Sequence, residues 1–203
     1  MISDEMRLCD SLKIDTTLIT ELRKITQVPI ERFHYAFQTI YSNGEVKEID
    51  PLELPGLIFK ETAENAELIM NALHSDFLKK GYYLFILDKN FGLNGKPDIM
   101  ALLHTCDKYE LLSELQTDGI NYDITNDSLL NLIRVLDNEY ELDLIGAGND
   151  WCEFIINKEP VDWMKLSHEC YRISPDVVNQ GVGTVEALAH GMQQTKRLYL
   201  WWD

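Results

Sequence analysis

Five histidines, four cysteines and 34 Asp and Glu residues are the groups from which this 203-residue chain could build a reactive centre. Nucleophilic catalysis needs a Ser or Cys held beside a His, with a carboxylate orienting the imidazole in turn. His34, His74, His104, His168 and His190 stand in no recognisable nucleophile motif. His168 and Cys170 lie two apart on a predicted helix and so point in different directions. Cys9, Cys106, Cys152 and Cys170 are scattered without the paired spacing of a zinc ribbon or a CxxC redox pair, and they read as reduced thiols. No DxDxDG-type loop offers hard-cation ligands, so neither a metal nor a cofactor is expected.

Two glycine-bearing turns test for phosphate binding. Gly146-Ala147-Gly148 follows a predicted strand, but the next element reads as a strand from Trp151, and a pyrophosphate would need a helix N-terminus there. Gly181-Val182-Gly183-Thr184 does precede a helix, yet it has neither a preceding strand nor a Lys, and it reads better as a turn and an N-cap.

Four segments carry more specific information. They are Gly119-Ile120-Asn121-Tyr122-Asp123-Ile124, Gly146-Ala147-Gly148-Asn149-Asp150-Trp151, Pro175-Asp176-Val177-Val178-Asn179-Gln180-Gly181 and Leu198-Tyr199-Leu200-Trp201-Trp202-Asp203. In this order they resemble the bacterial family called domain of unknown function 4253, over about residues 82–203. The resemblance implies a compact cytoplasmic bacterial domain. It brings no established activity with it and so transfers no catalytic residue.

If those segments converge, Tyr122, Asp123, Asp150, Trp151, Asp176, Gln180, Trp202 and Asp203 would form a carboxylate-bearing cleft with aromatic walls. Such a cleft suits a cation, a sugar or an Arg or Lys side chain. The competing reading makes Asp123 and Asp176 turn or capping residues and the tryptophans core anchors whose indole N–H groups need acceptors. Trp201 and Trp202 fall on opposite faces of a strand, so one packs the sheet while the other needs a second layer or a partner. Asp203 would add negative charge at that end.

The elements that must position these residues follow from periodicity. A short helix is expected over 15–25, and a hairpin from Phe33–Thr39 through Ser42-Asn43-Gly44 to Val46–Ile49. A helix over 62–79 stops at Gly81 and leads to strands at 82–87 and 98–104. Asp107 caps a helix over 108–116, and Asn126 caps the stripe of Leu129, Leu132, Ile133, Leu136 and Tyr140. A second hairpin pairs 142–146 with 151–156. Pro160 opens a helix to Arg172, Thr184 caps one through Thr195, and a C-terminal strand spans 198–202. Interspersed helices and hairpins predict an α+β fold with a mixed, largely antiparallel sheet. Residues 1–81 read as an N-terminal elaboration of helix, hairpin and helix, and 82–203 as the family-like domain.

Charge narrows the partners. The formal net charge is −16, and residues 107–159 hold 13 acidic residues against Lys108, Arg134 and Lys158. Such a surface repels phosphate backbones and anionic lipid heads, which argues against nucleic acid and membrane. No apolar run approaches the ~18 residues of a membrane span, and Met1-Ile2-Ser3-Asp4-Glu5 lacks a signal-peptide pattern, so a cytoplasmic location is expected. The sequence leans away from catalysis, toward an interaction module that binds a basic protein in the manner of an immunity protein. The alternatives are a small-molecule-binding protein or enzyme using the carboxylate and aromatic cleft, and a structural subunit of a homo-oligomer.

Overall fold

A computed structural model describes residues 2–36, 38–40, 46–48 and 51–203. The chain divides into two compact units, residues 1–106 and 107–203. The fold is α+β, and within each unit every strand pairs antiparallel to its neighbour.

The first unit opens with α1 (Ile2–Leu12) and α2 (Thr16–Leu22). The Asp15 carboxylate accepts the Thr17 amide at 2.9 Å and starts α2, whose Leu18, Ile19 and Leu22 are buried. Next come β1 (Ile30–Arg32), β2 (Gln38–Ile40), β3 (Val46–Glu48), β4 (Gly56–Glu61), α3 (Ala63–Lys79), β5 (Tyr83–Asp88) and β6 (Asp98–Leu103). Four of these strands lie in the order β1-β4-β6-β5, and β2 and β3 form a separate pair with Ile40 opposite Val46. The first hairpin is therefore shorter than its alternating pattern suggests. Phe33 is buried outside any strand, and Tyr35 makes an isolated bridge to Leu52. The predicted Ser42-Asn43-Gly44 turn, with Phe37 and Ile49, lies outside the described residues. Thr62 caps α3 by accepting the Asn65 amide, and Gly81 leaves the helix with φ of 85°.

The second unit contains α4 (Lys108–Glu114), α5 (Asn126–Tyr140), β7 (Leu142–Ala147), β8 (Trp151–Ile156), α6 (Trp163–Ile173), α7 (Val185–Thr195) and β9 (Arg197–Trp201). A 3₁₀ turn at Ile120–Tyr122 and a π-helical turn at Val177–Val182 interrupt the longer elements. The strands lie in the order β7-β8-β9, with Trp151 opposite Trp201 and Phe154 opposite Leu198.

Two helix starts differ from those read in the sequence. Thr125, not Asn126, caps α5, because the Asn126 amide is engaged elsewhere, donating to the carbonyls of Leu112 and Thr117 at 3.0 and 2.7 Å. Likewise α6 begins at Trp163 rather than Pro160. The Asp162 carboxylate accepts the amides of Met164 and Lys165 at 2.9 and 3.1 Å, and satisfying two free donors outweighs the mere loss of one that proline offers. All four cysteines are free thiols, with Cys106 exposed and the other three buried. No described helix is long and apolar enough to cross a membrane.

Candidate functional site

The carboxylate of Asp176 gathers three of the four segments. It follows Pro175 just before the π-helical turn, is only 2% exposed, and caps no helix with its side chain. The Tyr122 hydroxyl, from the 3₁₀ turn, donates to Oδ1 at 2.5 Å, and the Gln180 amide donates to the same oxygen at 3.0 Å. The Asp203 backbone N–H donates to Oδ2 at 3.0 Å. Burial pushes this carboxyl upward in pKa, but the bonds from Asp203, Tyr122 and Gln180 outweigh it, so Asp176 sits below the usual carboxylate range. Its hydrogen bond to Asp176, then burial and the negative charge of Asp176 and Asp203, raise the Tyr122 phenol above its ordinary value.

Trp202 brings in the remaining segment. Its backbone N–H donates to the Asp150 carbonyl at 2.9 Å, and its indole Nε1–H donates to the Ile173 carbonyl at 2.9 Å. The ring is 2% exposed, and burying an indole of roughly 200 Å² stabilises by about 5 kcal/mol at 25 cal/mol per Å². It lies close against Gly119: a Cβ built there would meet the indole Nε1 at 2.6 Å and Cδ1 at 2.7 Å. Gly119 is itself held by exchanging backbone hydrogen bonds with Ile124. The 119–124 segment therefore seats the ring from one side while Tyr122 reaches Asp176.

The remaining candidates are placed differently. Trp151 is 7% exposed and stacks on Tyr199, with ring centroids 5.7 Å apart, on the same sheet face as Trp201. Asp123 is exposed and closes the 3₁₀ turn in the left-handed region, with φ of 58°. Asp150 is also exposed, and its carbonyl joins it to the cluster. Of the adjacent tryptophans, Trp202 is the buried one and Trp201 is half-buried. The structure thus links Tyr122, Asp176, Gln180 and Asp203 directly, ties Trp202 in through Gly119, Asp150 and Ile173, and sets Trp151 and Asp123 apart from that knot.

Two further participants are not singled out by the sequence. Ser174 reads there only as a break before Pro175, yet its hydroxyl donates to the Trp201 carbonyl at 2.6 Å and accepts the Trp201 N–H at 2.9 Å. Tyr171 donates to the Asn179 side chain at 3.3 Å and so ties the middle of the π-helical turn to α6. A residue-type signal exists for Ser174, since Ser-Pro after a helix favours local side-chain hydrogen bonding. None exists for Tyr171.

What this arrangement can do chemically follows from what is occupied and what is exposed. Both oxygens of Asp176 are taken by internal donors, and among the described residues no buried side-chain nitrogen or oxygen lacks a partner. Around the knot, Asn179, Gln180 and Asp203 are exposed and Tyr122 keeps 38% of its surface. The outer layer is therefore an aromatic ring among amides and carboxylates. That composition suits recognition of a cationic group from solution.

The comparisons with known proteins agree with the segments that meet here. No curated protein and no solved structure matches the chain. The family model described as domain of unknown function (DUF4253) matches residues 99–203, from β6 through the Trp202 end, a little over half of the chain. The chain belongs to the DUF4253 family.

Proposed function

We propose that this chain is a protein-interaction module whose family domain presents an acidic, aromatic-bearing surface to a basic protein partner, as an immunity protein masks a cationic toxin. The observation that carries the reading is the exposed part of Tyr122, held in place by its bond to Asp176 and bordered by the exposed Asp203. A fixed aromatic ring loses little entropy on binding, and adjacent carboxylates favour Arg or Lys over its face. Charge supports the same direction: residues 107–203 carry 18 acidic side chains against seven Lys and Arg. A small-molecule or catalytic cleft would ask Trp151 and Asp176 to face a ligand, and both are buried against internal partners, so we favour the protein partner.

The test starts with cross-linking capture at low salt in the native host and continues with the purified partner. Tyr122→Ala is expected to weaken binding about tenfold or more, while Tyr122→Phe, which keeps the ring but loses the bond to Asp176 that fixes it, is expected to weaken binding by a smaller factor. Association is expected to slow as salt rises, with dissociation changing less. Capture of no protein, or equal affinity of the Tyr122→Ala variant for the purified partner, would overturn the reading.

A further inference from the structure

The first unit carries an apolar knob beside an apolar cleft, apart from the four family segments and independent of the interaction reading. Among its described residues the exposed large apolar side chains are Leu68, Phe91 and Leu93, and two of these share the short loop between β5 and β6. Phe91 is 58% and Leu93 66% exposed. The loop is built to present them. Phe91, Gly92, Asn94 and Gly95 all take positive φ, which for a phenylalanine at 52° is a strained backbone. Asn90 fixes the base: its N–H donates to the buried Asp98 carboxylate at 2.7 Å, and its side-chain amide donates to the Pro97 carbonyl at 2.9 Å. The Leu93 N–H donates in turn to the Asn90 carbonyl at 2.9 Å. Apolar side chains held in the open on a preformed loop lose little entropy when they are buried by a partner.

The cleft, of about 360 Å³, has an apolar floor of Pro29, Ala36, Ile58 and Ile99. At its rim His34 lies 3.5 Å from Glu53, and the Tyr35 hydroxyl donates to Asp88 at 3.0 Å. Glu31, also at the rim, has no ionic partner among the described residues. Cleft and loop share the corner at Asp88, whose carboxylate also lies 4.0 Å from Lys96 of the loop. The loop nevertheless cannot fill the cleft of its own chain. Lys60 lines the cleft, so the next residue, Glu61, points to the opposite face of β4, and there it accepts the Asn65 amide of α3 at 3.1 Å. The loop rests against that helix: a Cβ on Gly92 would lie 4.0 Å from Ala63, and Lys89 is 3.8 Å from Glu67. An apolar occupant therefore comes from another molecule.

We propose that the loop bearing Phe91 and Leu93 of a second copy of this chain occupies the cleft, bringing its Lys96 to Glu31, and that two copies exchange loops about a two-fold axis. The shared corner at Asp88 lets one axis serve both contacts at once, so association closes at a dimer. At the small end of ligand pockets, the cleft matches a pair of side chains rather than a folded segment. A contact of that size in a chain of net charge −16 makes a weak dimer. Sedimentation of the full chain from micromolar to millimolar concentration, at about 0.15 M salt where repulsion is screened beyond about 8 Å, is expected to show a monomer–dimer equilibrium. Phe91→Asn, which tolerates the positive φ but removes the ring, and Ala36→Trp, which fills the cleft, are each expected to weaken association about tenfold or more. Mixed together, the two variants retain one intact loop-and-cleft contact, so the mixture is expected to associate more tightly than either alone. Circular dichroism checks that both fold; should Ala36→Trp fail, Phe91→Asn at its exposed position still decides. The proposal is overturned if wild type stays monomeric, if a folded variant associates as wild type does, or if the mixture gains nothing over its components.

Discussion

Asp176→Ala is expected to lower the unfolding free energy by about 3 kcal/mol, read as a fall in the denaturant midpoint with the slope unchanged. The substitution strands three donors that now converge on one buried carboxylate, from Tyr122, Gln180 and the Asp203 backbone. Each hydrogen bond to a charged acceptor contributes roughly 1.5–3 kcal/mol net, but Tyr122 and Gln180 are exposed enough to recover water, so the sum is well below three full bonds. Asp176→Asn keeps the volume and turns an amide NH₂ toward donors, so it is expected to fall between wild type and alanine. The same carboxylate gives a pH signature. Because its pKa in the fold lies below the ordinary value, its contribution is complete above the usual carboxylate range and disappears as pH falls through the lowered pKa. The difference in stability between wild type and Asp176→Ala should therefore shrink in acid. A difference below about 1 kcal/mol at neutral pH would mean that the carboxylate does not hold the segments together.

Gly119→Ala is the second large effect, at about 2–3 kcal/mol of destabilisation. The added methyl would sit 2.6–2.9 Å from three atoms of the Trp202 indole, and that ring has little freedom to yield. Its Nε1–H is committed to Ile173 and its backbone to Asp150. Moving the ring would break one bond or open the buried surface it covers. Indole near-ultraviolet circular dichroism and the thermal midpoint report this together. Gly191 provides the contrast: it lies within α7, and a methyl added there would meet nothing within 4 Å, so Gly191→Ala should stabilise by up to about 1 kcal/mol. Equal effects at the two glycines would remove the close packing of Trp202 as an explanation.

The elements that periodicity and caps announce are the ones legible in the sequence. In α3, Ala66, Ile69, Met70, Leu73 and Phe77 are buried as their spacing requires, and Thr184 and Asp107 cap where expected. Helix α1 is missing from the expected elements although Ile2, Met6, Cys9 and Leu12 recur at helical spacing, a stripe diluted by four charged residues in its eleven. Strand β4 is buried at five of its six positions, so it shows no alternation to read. The π-helical turn widens the hydrogen-bonding ring without changing residue preferences, and Val177–Val182 gives no sign of it.

Legibility of the site has a different limit. The four segments are recognisable in order, but the bonds that join them span 27 to 54 residues, as in Asp203–Asp176 and Tyr122–Asp176. Local pattern gives residue types; it gives no partner at that distance. Thus Asp176 and Trp202 stand out as residues in the sequence, while the donor or acceptor that fixes each does not. Sequence neighbourhood groups Trp151 with them, whereas strand register turns its ring toward Tyr199.

The hydroxyl of Ser174 has one more effect. Strand β9 is the outermost of β7-β8-β9, and Trp201 turns its N–H and C=O away from β8. Ser174 occupies both groups, and Asp176 occupies the next outward N–H at Asp203. Left bare, a strand of this aromatic character would offer a template for amyloid-like stacking by neighbouring chains. Two side chains from one short stretch stopper it, so this aromatic strand can stay partly exposed without offering its edge to a neighbouring chain.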